Sequence, residues 1–268
     1  MNENRILEKS KQVSRESRIK SLSMTAEKKT SHIGSSFSVI DIISTLFVHN
    51  ELGRLKEKNH IILSKGHAAA ALYAVLDTLG LLNETLDKFC EPNSSIYGHV
   101  NHHASTEIPL STGSLGHGFP FGLGIAIAKK MKNSSSKTFI ILSDGELNEG
   151  TTWESALVAS HHQLENLVVI IDRNHIQSLG FTEETLKLDP IDKKWLAFGW
   201  NVLNIDGHNH EEIFGAIEKQ TNKPLCIVAD TIKGKGVSFM ENTIEWHYKS
   251  ANPEELVLAL KEIEDTQL

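Results

Sequence analysis

Two apolar patterns alternate along the chain. Short unbroken runs, such as Ile61-Ile62-Leu63, Phe139-Ile140-Ile141-Leu142, Leu167-Val168-Val169-Ile170-Ile171 and Leu225-Cys226-Ile227-Val228, have the length and branched content of buried strands. They predict strands at 60–63, 138–142, 167–171 and 224–231, with a further one at 201–205. Between them, apolar residues recur every three or four positions, the period of a helix with one buried side. Residues 1–28 predict a helix whose apolar side is Ile6, Leu7, Val13, Ile19 and Leu22. Ser38 with Asp41 three positions on reads like a capping box and predicts a helix start, running to about 49. An Ala-rich helix spans 68–79 and stops at Gly80. Others follow the glycine run at 113–118 as far as 132, then at 151–162 (Trp153, Ala156, Leu157 and Ala159 inward), 193–198 and 211–220. A last one is capped by Asn252-Pro253 and followed by a charged tail. Strand–helix–strand repetition predicts one domain over 1–268, a doubly wound α/β fold with a mainly parallel sheet and helices on both faces. The stretches 91–114 and 181–192 read as irregular, and long loops in compact domains commonly carry function.

Composition narrows the classes. With 268 residues, 40% hydrophobic, the chain sits at the upper end of one domain. The net charge is −7 with no basic stripe, so nucleic acid is not an expected partner. No apolar run reaches the length of a membrane span. Met1-Asn2-Glu3-Asn4-Arg5 lacks the apolar core of a signal peptide, and the two cysteines, Cys90 and Cys226, form no framework. A reducing, cytoplasmic setting is expected. The 14 histidines first suggest zinc, but no H-E-x-x-H and no Cys–His spacing occurs. Histidine as a donor to phosphates, hydroxyls and carbonyls is the better reading.

The candidate chemistry lies at strand ends. Asp144 follows one apolar run and Asn174 the next, which puts both at the carboxyl ends of parallel strands, where open sheets bind ligands. A carboxylate and an amide oxygen suit Mg2+ when phosphates supply its other oxygens. The alternative is a solvated turn with an ordinary Asp and Asn. His67 ends a strand and opens a helix, a place that suits a diphosphate or a simple helix cap. The run Gly113-Ser114-Leu115-Gly116-His117-Gly118 is neither a P-loop nor a dinucleotide fingerprint, yet its glycines let backbone approach a ligand or another helix. Glu149, taken alone, is an acid favoured by a helix N-terminus. His208 reads as a cap for the helix that follows it.

Ser143-Asp144-Gly145-Glu146-Leu147-Asn148-Glu149-Gly150, with Asn174 some thirty positions on, resembles the thiamine diphosphate enzymes and, within them, the transketolase family. Ser31-His32-Ile33-Gly34, Leu63-Ser64-Lys65-Gly66-His67, Tyr97-Gly98-His99, Thr112-Gly113-Ser114-Leu115-Gly116-His117-Gly118 and Lys233-Gly234-Lys235-Gly236 leading to His247 follow in the family's order. The departures are Ser31 and Ser143 for Gly, Ser114 for Pro, His117 for Gln and Tyr248 for Gly. The resemblance covers roughly 8 to 250, the first part of a full transketolase. It implies a thiamine diphosphate-binding fold. Asp144, Asn174 and the carbonyl of Ile176 would hold Mg2+. His67, Gly113, Ser114, Leu115, Gly145, Asn174 and His247 would contact thiamine diphosphate. His32, His99 and His247 would act on substrate, and Glu149 would join a carboxylate network across a dimer interface. The implied activity is transfer of a two-carbon ketol unit from a ketose or its phosphate to an aldose. The implied assembly is a heterotetramer, two copies of this chain with two of a separate C-terminal-type, pyrimidine-binding subunit. The alternatives are a deoxyxylulose-phosphate synthase-like or 2-oxo acid dehydrogenase-like subunit, or else a non-catalytic binding half.

Overall fold

The apolar runs pair edge to edge into one sheet. The structure, a computed structural model, describes residues 3–53 and 55–265. The first two residues of the expected leading helix and the end of the charged tail, 266–268, lie outside the described residues. The strands are β1 (His60–Leu63), β2 (Thr138–Ser143), β3 (Leu167–Arg173), β4 (Asn201–Asp206) and β5 (Leu225–Asp230), in the order β1-β2-β3-β5-β4. Each neighbouring pair is parallel. The helices are α1 (Glu3–Glu27), α2 (Ile33–Leu52), α3 (Ala69–Thr78), α4 (Gly118–Met131), α5 (Gly150–His161), α6 (Thr182–Thr185), α7 (Ile191–Ala197), α8 (His210–Glu218) and α9 (Pro253–Asp265).

Strands β2 and β3 are buried at every position, as central strands covered on both sides must be. The two-residue period of the strands splits their side chains between two cores. Phe139, Ile141, Val168, Ile170 and Ile227 pack with α1, α2, α3 and α8; Ile140, Leu142, Val169, Ile171 and Cys226 pack with α4, α5 and α7. Leu22, Ile33, Phe37, Trp246 and Ile263 form a third cluster that seats α9. Among the described residues no helix is long and apolar enough to cross a membrane.

Four expectations need correction. Helix α2 begins at Ile33, so Ser38 is not its cap. The helix is buried along nearly its whole length, and its polar residues therefore serve tertiary partners. The Ser38 hydroxyl donates to Asp172 at 2.6 Å, and Asp41 binds Arg18. Leu157 faces out, 57% exposed, because Thr152, Ser155, Ala156 and Ala159 form the buried side of α5. With Val158 and Phe121 it leaves apolar surface on α4 and α5. His208 does not cap α8. Asn209 does, accepting the N–H groups of Glu211 and Glu212. His208 Nε2 instead accepts the Ile232 N–H at 2.8 Å, which leaves Nδ1 to donate to Asp41, also at 2.8 Å. The stretch 181–192 also holds α6 and the start of α7.

Asp41 is the centre of a buried lock between α1, α2 and the loop before α8. Arg18, with no exposed surface, meets it through two nitrogens at 2.7 and 2.8 Å, and His210 Nε2 lies at 3.3 Å. Burial pushes the Asp41 carboxyl up, but the charge and hydrogen bonds of Arg18, with His208 and His210, hold it well below the usual range. Asp41→Asn leaves a buried guanidinium without its counter-charge and should cost about 3–5 kcal/mol, read by urea unfolding. Because the folded pKa is depressed, the wild-type contribution is present above the ordinary value of 3.8 and is lost as pH falls through the folded value. The variant should lack that part of the acid transition. A loss below about 1 kcal/mol would show that the pair is not a lock.

Candidate active site

The carboxyl ends of β1, β2 and β3, with the loop after β5, converge on a cleft of about 230 Å³. Ser143 at the end of β2 pairs in register with Asp172 on β3, so the turns that follow, carrying Asp144 and Asn174, lie side by side. Asp144 is buried; its Oδ1 accepts the Gly145 N–H and its Oδ2 the His175 N–H, both at 2.7 Å. Burial, then the charge of Asp172, pushes its carboxyl up to about 6, against the pull of Arg173. The Asn174 amide donates to Asp172 at 3.0 Å, which turns its Oδ1 towards the Ile176 N–H at 3.2 Å. The Ile176 carbonyl accepts from Lys233 Nζ at 3.3 Å. Among the described residues no cluster of three or more His, Cys, Asp or Glu side chains could hold a metal. A cation here would depend on amide, carbonyl and ligand oxygens beside Asp144, a hard-donor set of the kind Mg2+ takes.

Four histidines from four segments close the other side. The His32 ring centre lies 5.4 Å from that of His67, 5.6 Å from His99 and 5.1 Å from His247. His32 adopts a left-handed conformation, φ 76°, at the N-terminus of α2, uncommon for a residue with a side chain. Its N–H donates to the His247 carbonyl at 2.9 Å, which ties the two segments together. His67 sits on the short turn between β1 and α3. The His99 carbonyl accepts the Tyr73 hydroxyl at 2.8 Å. Burial, with the charges of His99, Lys233 and Lys65, lowers His32 to about 4. Burial, with Lys233, His32 and Lys65, lowers His247 to about 3. Burial lowers His99 and, with Lys65, takes His67 well down. At neutral pH all four are neutral rings, each with one N–H donor and one acceptor.

Leu115 and Gly145 also line the cleft. Gly113 and Ser114 are exposed at its rim, where a Cβ on Gly113 would stand 4.0 Å from His99 Cδ2. Glu149 is exposed outside the cleft, and its side chain makes no cap for α5. Sequence reasoning missed two lysines that back the lining residues Ser35 and His247. Lys65 and Lys233 have no exposed surface; Lys65 pairs with Asp172 and donates to the Ser35 carbonyl at 3.2 Å. Burial and the charge of Lys65 lower Lys233 to about 7. The available signal was placement, since Lys65 and Asp172 follow apolar runs at neighbouring strand ends. Ser35, Gln177, Ser178 and Tyr248 complete the lining, with the exposed Tyr248 ring 4.7 Å from His247. The Ser35 hydroxyl is buried without a hydrogen-bond partner among the described residues. An orphaned hydroxyl and neutral imidazole donors across from an oxygen set, with two buried lysines behind the lining, fit a diphosphate with its cation.

Comparison with known proteins gives the family. Residues 9–263 match the family described as transketolase, thiamine diphosphate binding domain. The chain is 38% identical over 242 residues to an apulose-4-phosphate transketolase subunit of Actinobacillus succinogenes, covering 87% of this chain and 88% of that one. It is 36% identical to the 6-deoxy-6-sulfo-D-fructose transketolase subunit SqwG of a Clostridium species, again covering 87% and 88%. Against human transketolase the identity is 35%, over 87% of this chain and 38% of the human one. The solved transketolase of Campylobacter jejuni superposes with a TM-score of 0.83 at 28% identity, covering 98% of this chain and 43% of that chain. The chain therefore spans under half the length of that enzyme and most of the length of the two transketolase subunits. It belongs to the transketolase family, as a thiamine diphosphate-binding domain.

Proposed function

We propose that this chain is the diphosphate-binding subunit of a split transketolase, dependent on thiamine diphosphate and Mg2+, that transfers a two-carbon ketol unit from a ketose or ketose phosphate to an aldose. The observation that carries the reading is the convergence of Asp144, Asn174 and the Ile176 carbonyl with four neutral histidines in one cleft. Asp144, Asn174 and Ile176 hold the cation. His67, Gly113, Ser114, Leu115, Gly145, Asn174 and His247 contact the cofactor, and Lys65 and Lys233 offset the charge of its diphosphate. Bound thiamine diphosphate supplies the electron sink for breaking and making a carbon–carbon bond. His32 Nδ1 lies 3.1 Å from the Ser31 hydroxyl and His247 Nδ1 2.8 Å from Lys233 Nζ, so we assign Nε2 of each ring to the substrate. His32, His99 and His247 would donate to substrate oxygens and pass protons as their bonding changes.

The cleft is smaller than the roughly 300–1,000 Å³ of sites that enclose a whole ligand. It suits one end of the cofactor, and the similarity to two proteins named as transketolase subunits supports a second, pyrimidine-binding chain for the other. Glu149 and the apolar surface of α4 and α5 face outward and suit the expected heterotetramer. The free cysteines suit a reducing, cytoplasmic setting.

Three outcomes test this reading. Asp144→Ala should abolish Mg2+-dependent binding of thiamine diphosphate in calorimetry on the assembled enzyme, with circular dichroism unchanged; wild-type affinity would remove Asp144 from the metal site. His32→Ala and His99→Ala should each lower turnover by about 10²–10⁴-fold while cofactor binding persists, and wild-type turnover would take both out of the reaction. The purified chain alone, given Mg2+, thiamine diphosphate, a ketose phosphate and an aldose phosphate, should be inactive until the partner chain is added. Full activity without a partner would overturn the split assignment. Turnover of pyruvate in place of the ketose phosphate would favour the synthase-like alternative.

A further inference from the structure

Three segments distant in sequence wall the diphosphate side of the cleft: the end of β1 from Ser64 to His67, the glycine run 112–118, and the turn 143–146 after β2. Glu146 touches all three. It has no exposed surface, and its Oε1 accepts the Gly116 N–H at 2.8 Å and the hydroxyl of Ser64. Its Oε2 faces the Ser143 N–H at 3.4 Å. Its own N–H donates to the Ser143 hydroxyl at 3.2 Å, and its carbonyl accepts the Thr152 hydroxyl at 3.0 Å, which fastens the start of α5.

Among the described residues no Lys, Arg or His forms an ion pair with Glu146, and burial pushes its carboxyl up. A buried carboxylate that feels the charge of Lys65 but forms no direct ion pair is a poor device for stability, since an apolar side chain of similar volume would fill the place at lower cost. What it provides is acceptor geometry. The glycine run is pressed against its neighbours independently of this contact. Gly116 has φ +81°, and a Cβ there would meet Thr151 Oγ1 at 2.5 Å. The Thr151 hydroxyl donates to the Gly116 carbonyl at 2.8 Å. Gly116 is thus held from both its N–H and its carbonyl, one residue beyond Leu115 in the cleft wall.

We infer that Glu146 is a positioning residue for the cofactor site: its carboxylate clasps the end of β1, the glycine run and the turn after β2 into the arrangement that sets His67, Leu115 and Asp144 round one ligand. The ligand half of this inference rests on the thiamine diphosphate reading; the clasp does not. Hydrogen exchange on the chain alone tests the clasp. Glu146→Ala should speed exchange of the amides at 113–118 while those of β2 and β3 stay protected. In the enzyme assembled with its partner, the same variant should raise the calorimetric Kd for Mg2+–thiamine diphosphate by about tenfold or more. Its kcat at saturating cofactor should stay within about threefold of wild type. Glu146→Gln keeps an acceptor for Gly116 and loses the one for Ser143, so its Kd should rise by only about threefold. The Gln variant decides the matter if the Ala variant does not fold. Unchanged exchange at 113–118, or a lowered Tm with unchanged cofactor affinity in both variants, would overturn the inference. A wild-type enzyme that binds no thiamine diphosphate would overturn the proposed function and the ligand half with it, and the exchange result would still judge the clasp.

Discussion

The buried carboxylate of Asp172, at the end of the central strand β3, organises the site. It has no exposed surface and accepts from four elements: the Lys65 ammonium after β1, the Ser38 hydroxyl on α2, the Asn174 amide in its own turn and the Thr231 hydroxyl after β5. A charge so placed is tolerable only when nearly every lone pair is used. Those donors come from the segments that carry the site, so satisfying Asp172 also fixes their positions. Burial pushes its carboxyl up, but the Lys65 charge and these hydrogen bonds hold it below its usual value. It therefore stays ionised, a fixed negative charge beneath Asp144.

That charge explains the electrostatics above it. Asp144, buried beside Asp172, is a reluctant carboxylate, and a divalent cation at the same place would relieve the repulsion. Lys233 is a reluctant cation because it is buried and Lys65 is near, and an anionic diphosphate would relieve that. One disfavoured charge of each sign thus lies in or behind the cleft wall, and in the proposed reading an anion bound with a metal would answer both. Burial lowers all four histidines, and the same lysines add to this for His32, His67 and His247, which leaves them neutral rings able to exchange donor and acceptor roles.

How much was legible depended on whether a feature was local. Unbroken apolar runs gave the central strands, because a strand buried on both faces writes itself into consecutive residues. Asp144 and Asn174 were legible because strand ends are. The Ser38–Asp41 pair misled because capping boxes and buried polar contacts use the same residues, and only tertiary structure tells that Asp41 meets Arg18. Leu157 misled because an apolar residue next to a helix's buried side looks the same whether it faces a core or an open surface. Lys65, Lys233 and Asp172 were illegible as a set. Their meaning is that they meet, and they are separated by 107 residues between Lys65 and Asp172 alone.

The outward face of α4 and α5 follows from the same logic. Gly124 and Gly150 have nothing within 4 Å of an added Cβ, and Phe121, Leu157 and Val158 stand exposed on the same helices. The inner sides of these helices are committed to Ile140, Leu142 and the second core, so they cannot turn to hide the exposed set. Gly116 and Glu149 lie at the same end of the helices, beside the cleft: Thr151 in the first turn of α5 holds the Gly116 carbonyl. In the proposed reading, a chain docking on this face would press on the segment that Glu146 clasps from within. Assembly and cofactor retention would then be coupled through the glycine run, because one short backbone segment takes part in both.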